Sequence, residues 1–340
     1  MPVAVVPLNA ELLPSAAALL AARHRADQRR VSGLPPAFDD PAVALPALEA
    51  LLGDPSADGW AALSGERLVG FLVGKRQLFA DTNLLAAFFD ARLVMIPFAG
   101  YAADPEIGDE VYRALYAAAA VTWVEAGFFS HSIRTTSDPL GVEPWFTFGF
   151  GRRVTTGVRA LDDGHGRVEL PGLPSPFIAR RAGPDDGDAV HELIADLVRF
   201  HADSPIFMPQ LAEAIAAERG EIAAWLADPA VAYWVAEEAG DPVGVMGLHP
   251  AQGFIDDGRR PERSAYLFLG HMHPSARGRG IATALLNVAL IWARGAGYTA
   301  CLVDWFTTNP LSNRFWPRRG FLPFASRLER RVDARVAWAK

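Results

Sequence analysis

SAYLFLGHMHPSARGRGIATALLNVALIWARG, residues 264–295, holds the reading of the whole chain. Its opening, Ser264 to Met272, runs on in Tyr, Leu and Phe and predicts a buried strand. Its close, Ile281 to Arg294, is nearly all apolar. Ile281, Leu285, Val288 and Trp292 share one face, which predicts a helix packed against a sheet. Between them lies His-Pro-Ser-Ala-Arg-Gly-Arg-Gly, 273–280. Gly278 and Gly280 carry no side chains at the point where strand gives way to helix, so several backbone N–H groups can turn toward one anion. The helix N-terminus adds partial positive charge, and Arg277 and Arg279 add formal charge. These residues predict a pyrophosphate cradle built mostly from backbone. The dinucleotide fingerprint, with three spaced glycines and a following acid, is absent.

The same patterning extends outward. Phe177 to Arg181 predicts a short strand. Pro184 and Asp185 open a helix whose apolar positions, Val190, Leu193, Ile194, Leu197 and Val198, fall on one face. A second helix is expected from about Gln210 to Leu226. Strands follow at Val231–Glu237 and Pro242–Leu248 around a Gly240-Asp241 turn. Past the helix of residues 281–294, Thr299 to Phe306 predicts a strand, Leu311 to Arg319 a short helix, and Gly320-Phe321 the start of a return strand. This order predicts an α/β layered domain with a mixed, mostly antiparallel sheet flanked by helices.

The chain also repeats itself. Asp54-Pro55, Trp60 and Val69-Gly70 recur as Asp228-Pro229, Trp234 and Val243-Gly244 at a constant offset of 174. Pro139-Leu140, Trp145 and Gly149-Phe150 recur as Pro310-Leu311, Trp316 and Gly320-Phe321 at an offset of 171. Between the copies, residues 161–176 are too rich in Gly and Pro for a helix or a central strand, and read as a linker. Two domains of one fold are expected, at 1–160 and 177–340.

The Arg277, Gly280 and Ala282 pattern after a strand, followed by Asn309, Ser312, Phe315, Trp316 and Gly320-Phe321, resembles the GNAT acetyltransferase superfamily over about residues 177–325. The resemblance implies an acetyl-CoA-dependent N-acyltransferase acting by direct attack of a primary amine on the thioester, with no metal. It implies that the backbone of residues 277–282 (Arg277, Gly278, Arg279, Gly280, Ile281 and Ala282), with His273 beside them, holds the CoA pyrophosphate. The backbone of Met272 would meet the thioester carbonyl or pantetheine, and Asn309 and Ser312 would meet the pantetheine arm. Two positions depart from the family. Trp316 stands where many members carry a thiolate-protonating Tyr, and Tyr266 stands where a Glu is common. Candidate bases are therefore His271, a residue type matched to proton transfer near pH 7, Asp304 acting through water, and Tyr266. His249, at the end of the hairpin, is a further candidate base, and His201 and Asp203 follow the first helix, where the family often builds its acceptor pocket. The alternative function is a CoA-binding sensor or scaffold without turnover.

In the first half the corresponding loop reads FAGYAADPEIGDEV after Pro97. Its Arg-Gly-Arg-Gly is gone, and Asp104, Glu106, Asp109 and Glu110 stand in an insertion of seven residues. These carboxylates would repel a pyrophosphate, so this half is expected to be a degenerate domain without a CoA loop. The arrangement is similar to tandem GNAT proteins, of which mycothiol synthase is one example.

Composition narrows the classes. Lys and Arg total 32 against 39 Asp and Glu, a net charge of −7, which argues against a general nucleic-acid binder. Cys301 is the single cysteine, so neither an internal disulfide nor a cysteine-based zinc site is expected. His271 and His273 alternate on a strand but lack an evident third ligand. The N-terminus reads poorly as a signal peptide, and the longest apolar run, Leu115 to Val124, is too short to span a bilayer. A cytoplasmic protein away from membranes is the expectation.

Overall fold

The computed structural model describes residues 3–161, 175–251 and 260–339. The first half contains β1 (Ala4–Pro7), α1 (Leu13–Arg30), α2 (Pro41–Leu52), β2 (Ala57–Ser64), β3 (Arg67–Leu78), β4 (Arg92–Ile96), β5 (Tyr101–Ala103), α3 (Glu110–Glu125), β6 (Ser130–Thr136), α4 (Pro139–Phe146) and β7 (Gly151–Ala160). The second half contains β8 (Phe177–Arg181), α5 (Gly187–Ala202), α6 (Ala212–Ala227), β9 (Ala232–Glu238), β10 (Asp241–Pro250), β11 (Ser264–Met272), α7 (Ile281–Gly295), β12 (Ala300–Phe306), α8 (Ser312–Phe315) and β13 (Leu322–Arg331). Most of the expected linker, residues 162–174, lies outside the described residues. The short helix expected over 311–319 stops at Phe315 and resumes as a 3-10 turn, Pro317–Arg319. Pro317 brings no N–H to continue the α-helical ladder.

The halves repeat in register as well as in sequence. Trp60 faces Pro7 on one side and Leu72 on the other. Trp234 faces Arg181 and Met246, each 174 residues further on. Trp145 and Trp316 end matching turns, accepting hydrogen bonds from Phe150 N at 3.1 Å and Phe321 N at 3.2 Å.

Both halves share one sheet, ordered β1-β2-β3-β4-β6-β13-β7-β12-β11-β10-β9-β8, with β5 pairing on β3. The last strands are exchanged. β13, from the end of the second half, lies between β6 and β7. β7, from the end of the first half, pairs along β12. The return strand read from the sequence thus completes the sheet of the opposite half. A division near residue 160 separates the chain into repeats, but neither repeat holds a complete sheet alone.

Antiparallel partners share a face of the sheet. Two rows therefore cross the junction on one face: Phe306–Val154–Arg327–Arg134, and Asp304–Thr156–Ala325–Thr136. Neither half could assemble these rows without the exchange. No helix among the described residues is long and apolar enough to cross a membrane.

Candidate active site

β11 and β12 run parallel from Ser264/Ala300 to Leu267/Val303, then part. The cause lies in β11. Leu248 faces Leu267 and Gly247 faces Leu269, so Phe268 is an extra, bulged residue. A bulge bends its strand and breaks the ladder locally. Gly247 makes the bulge possible, because a Cβ there would fall 2.6 Å from the Phe268 ring. Beyond the bulge, His273 N donates to Val243 O at 2.8 Å. By antiparallel alternation, Met272 and Gly270 then turn their own N–H and C=O away from β10, toward the gap beside β12. Arg277 Nε occupies Met272 O at 3.0 Å. The Met272 N–H is left as a donor facing the gap.

The gap opens into a cavity of about 1510 Å³ that reaches the start of α7. Arg277, Gly278, Gly280, Ile281 and Ala282 line that end. Gly278 and Gly280 have φ of +75° and +81°, a region that side-chain-bearing residues rarely occupy. Their conformation fans the N–H groups of residues 278–282 outward, and among the described residues none of these groups donates to a backbone carbonyl. Arg319, missed by the sequence reading, adds a further cation at the cavity wall and is held by Thr283 Oγ1 at 2.7 Å.

Two of the expected cofactor residues turn their side chains away from the cavity. The His273 side chain is exposed and caps the turn before the loop through Ser275, so it does not line the cavity. Arg279 turns outward to Glu238 Oε1 at 3.0 Å, with its guanidinium 4.2 Å from the Phe177 ring. Both can contribute backbone only. Asn309 is also committed locally. Its Oδ1 accepts from Leu311 N at 3.0 Å and Ser312 N at 3.2 Å, and its Nδ2 approaches His201 Nε2 at 3.4 Å. It shapes the turn, and both Asn309 and Ser312 line the cavity.

The wall toward α5 and α6 gathers the titratable groups. Asp304 is the first residue of β12 past the parting point, and one carboxylate oxygen, Oδ1, is buried without a hydrogen-bond partner. Tyr266 is hydrogen-bonded to Asp304, and burial together with that carboxylate pushes its phenol well above its usual range. Tyr266 is therefore a donor, and its expected role as a base does not fit its surroundings. His271 shares the α5 face, with Nε2 buried and without a partner. Burial and the nearby Arg277 lower its imidazole to about 4. Burial likewise lowers His201, on α5, to about 4. His249 lines the same wall and lies tilted against Tyr266 and Phe268, with ring centroids 5.4 and 5.0 Å away. Asp203 ends α5 and does not line the cavity. Trp316 is buried against Gly270, and its indole N–H is no usable acid near neutral pH.

Residues of the first half complete the cavity. Thr82, Asn83 and Phe88 come from the segment before β4, Arg134 from β6, and Val154 and Thr156 from β7. Arg327, on β13, joins them. Sequence reasoning missed every one of these, because only the strand exchange brings them to the β12 side.

Residues 198–321 match the family model described as Acetyltransferase (GNAT) family. N-acetyltransferase 8 of Rattus norvegicus is 36% identical over 75 residues, a match spanning 22% of this chain and 32% of that relative's length. A GCN5-related N-acetyltransferase from Sphaerobacter thermophilus is similar in fold over 97% of this chain and 95% of its own, with a TM-score of 0.59 and 12% identity. A tandem GNAT protein from the clavulanic acid biosynthesis pathway is similar over 97% and 98%, with a TM-score of 0.50 and 16% identity. Residues 198–321 thus carry a likeness to the GNAT acetyltransferase family, and the chain as a whole is similar in fold to a tandem GNAT protein.

Proposed function

We propose that the second half transfers an acetyl group from acetyl-CoA to a primary amine, by direct attack in the gap between β11 and β12. One observation carries this reading: the parted strands present the Met272 N–H beside a cavity that runs to the glycine-rich start of α7. The loop N–H groups, with the charges of Arg277 and Arg319, hold the pyrophosphate of the donor. The Met272 N–H donates to the thioester carbonyl and stabilises the oxyanion as the amine nitrogen adds to it. Addition makes the nitrogen strongly acidic, so a weak base suffices. Asp304 Oδ1 lies on the amine's side and accepts its proton. The C–S bond then breaks and the thiolate leaves without a side-chain acid at Trp316.

The first domain keeps no donor site in this proposal. It supplies β7 and the segment before β4 as part of the acceptor wall. The test follows free thiol release from acetyl-CoA across a panel of primary amines, alongside calorimetry of CoA. Amine-dependent release with one CoA per chain is expected. Tight CoA binding with no release for any amine would overturn transfer and leave a CoA-binding sensor.

A further inference from the structure

The cavity has a far end, under α6, that the proposed transfer does not use. Ala214, Glu218, Glu221 and Trp225 line it, spaced by three and four residues on one helix face. Among the described residues, the charged group that acts on Glu218 is a second carboxylate, Glu221, and with burial it pushes the Glu218 carboxyl up to about 7. The single basic residue of α6, Arg219, pairs with Asp188 of α5 and does not line the cavity. Arg277 and Arg319 stand at the opposite end, by the start of α7. A second observation gives this acidic end a direction. Tyr233, on β9, is 2% exposed, and its hydroxyl is buried without a hydrogen-bond partner. Its ring meets Phe268 edge-on at 5.4 Å, and Phe268 meets Trp225 in the same way at 5.5 Å. Glu218 is the charged group within electrostatic reach of the phenol. The hydroxyl therefore ends beside the Glu218 carboxylate. A buried hydroxyl left unpaired is costly, and a phenol oxygen accepts as well as donates. An ammonium seated there would satisfy both groups and face the Trp225 ring.

Resting on the acetyl-transfer reading, we infer that the acceptor is an α,ω-diamine, its second, unreacting ammonium held by Glu218 and Tyr233 while Asp304 receives the reacting amine. Tyr233 pairs with Gly247, and Gly247 with Leu269. Asp304 follows the Leu267–Val303 pair. The two stations thus lie at nearly the same height on one face, three strands apart, roughly 14 Å between backbones. Phe268 and Leu269 of the sheet, with Ile194 and Leu197 of α5, make the path between them apolar. That path suits a hydrocarbon stem with a charge at each end.

The experiment compares matched acceptors on the wild-type chain with acetyl-CoA: α,ω-diamines of graded length, and the amino alcohols, ω-amino acids and plain alkylamines of equal length. The inference expects kcat/KM for the best diamine to exceed that of its amino alcohol by about 10²-fold, the scale of a desolvated charge pair and well beyond the statistical gain from two equal amines. E218Q should raise KM for the diamine by a similar factor and abolish the preference. Y233F, which keeps the ring and removes the hydroxyl, should weaken it by less. Equal kcat/KM for diamine and amino alcohol, or a preference that survives E218Q, would overturn the second ammonium station and leave acetyl transfer standing. Preference for the ω-amino acid would overturn it too. Turnover of no amine would overturn both readings.

Discussion

The two halves began from one plan and treat the same gap in opposite ways. In the second, β11 continues past its bulge and stays paired with β10 as far as Gly244–Met272, so the strands part over an open cavity. In the first, β4 stops at Ile96, and β5 returns after a 3-10 turn to pair Tyr101–Ala103 with Leu72–Gly70. Leu197 and His201 line the second cavity. At the 174-residue offset the first half carries Arg23 and Asp27. Arg23 donates to the carbonyls of Phe98 and Tyr101 and lies over both rings, at 4.5 and 4.1 Å. Asp27 pairs with Arg23 at 3.4 Å and also with Arg30, which reaches Asp138 at 2.9 Å. Tyr101, Tyr112, Tyr116, Phe148 and Phe150 surround Trp145. At the start of α3, Asp104 accepts from Glu106 N at 3.0 Å and pairs with Arg67 at 2.7 Å, so a carboxylate takes the loop donor itself. An ion-pair network and aromatic rings fill what the second half leaves open. A fold can thus fill such a gap while keeping the strand register that made it.

The largest expected effect tests that contrast directly. Calorimetry of wild type should give one acetyl-CoA per chain, and Gly280→Val should abolish binding, because it both strains a left-handed residue and fills the phosphate approach. Two equal sites would break the comparison. Next, Arg23→Leu should cost about 1–3 kcal/mol by denaturant unfolding, because the carbonyls of Phe98 and Tyr101 lose their donor while Asp27 keeps Arg30. The double change Arg23→Leu with Asp27→His, which copies the second half's pair, should recover much of that loss. A single substitution of less than about 1 kcal/mol would show that the ion pair does not hold the first half closed. Asp304→Asn should lower kcat by about 10²-fold with CoA affinity unchanged, since Asp304 sits on the acceptor side of the parted strands.

A weaker effect concerns pH. His271 has its folded value lowered to about 4, so its neutral form persists above that and is lost only as pH falls through it. The kcat/KM profile should therefore show no imidazole inflection near 6.5. An inflection there that disappears in His271→Ala would restore His271 as the base. The smallest effect is expected from Trp316→Tyr, which should leave kcat within about threefold if thiolate protonation does not limit the rate, at the cost of a small void. A large rise in kcat would show that the missing acid does limit turnover.

The sequence determined the local elements. Ser264–Met272 and Phe177–Arg181 were legible to the residue, and Ile281 to Arg294 to within one, because apolar periodicity and glycine placement are local properties. The loop at 277–282 was legible for the same reason: backbone donors and positive φ depend on neighbouring residues alone. The loss of that loop in the first half was also visible, as carboxylates where arginines should be. Tertiary structure decided the rest. Nothing in the run Leu322–Arg331 says that it pairs with β6 and β7 rather than with β12, because strand pairing is set by long-range competition between edges. That choice brings Arg327 and Arg134 to the face of Asp304, 23 and 170 residues away along the chain. Tyr266 likewise changes from a candidate base into a donor, because the pairing of β11 with β12 brings it to Asp304.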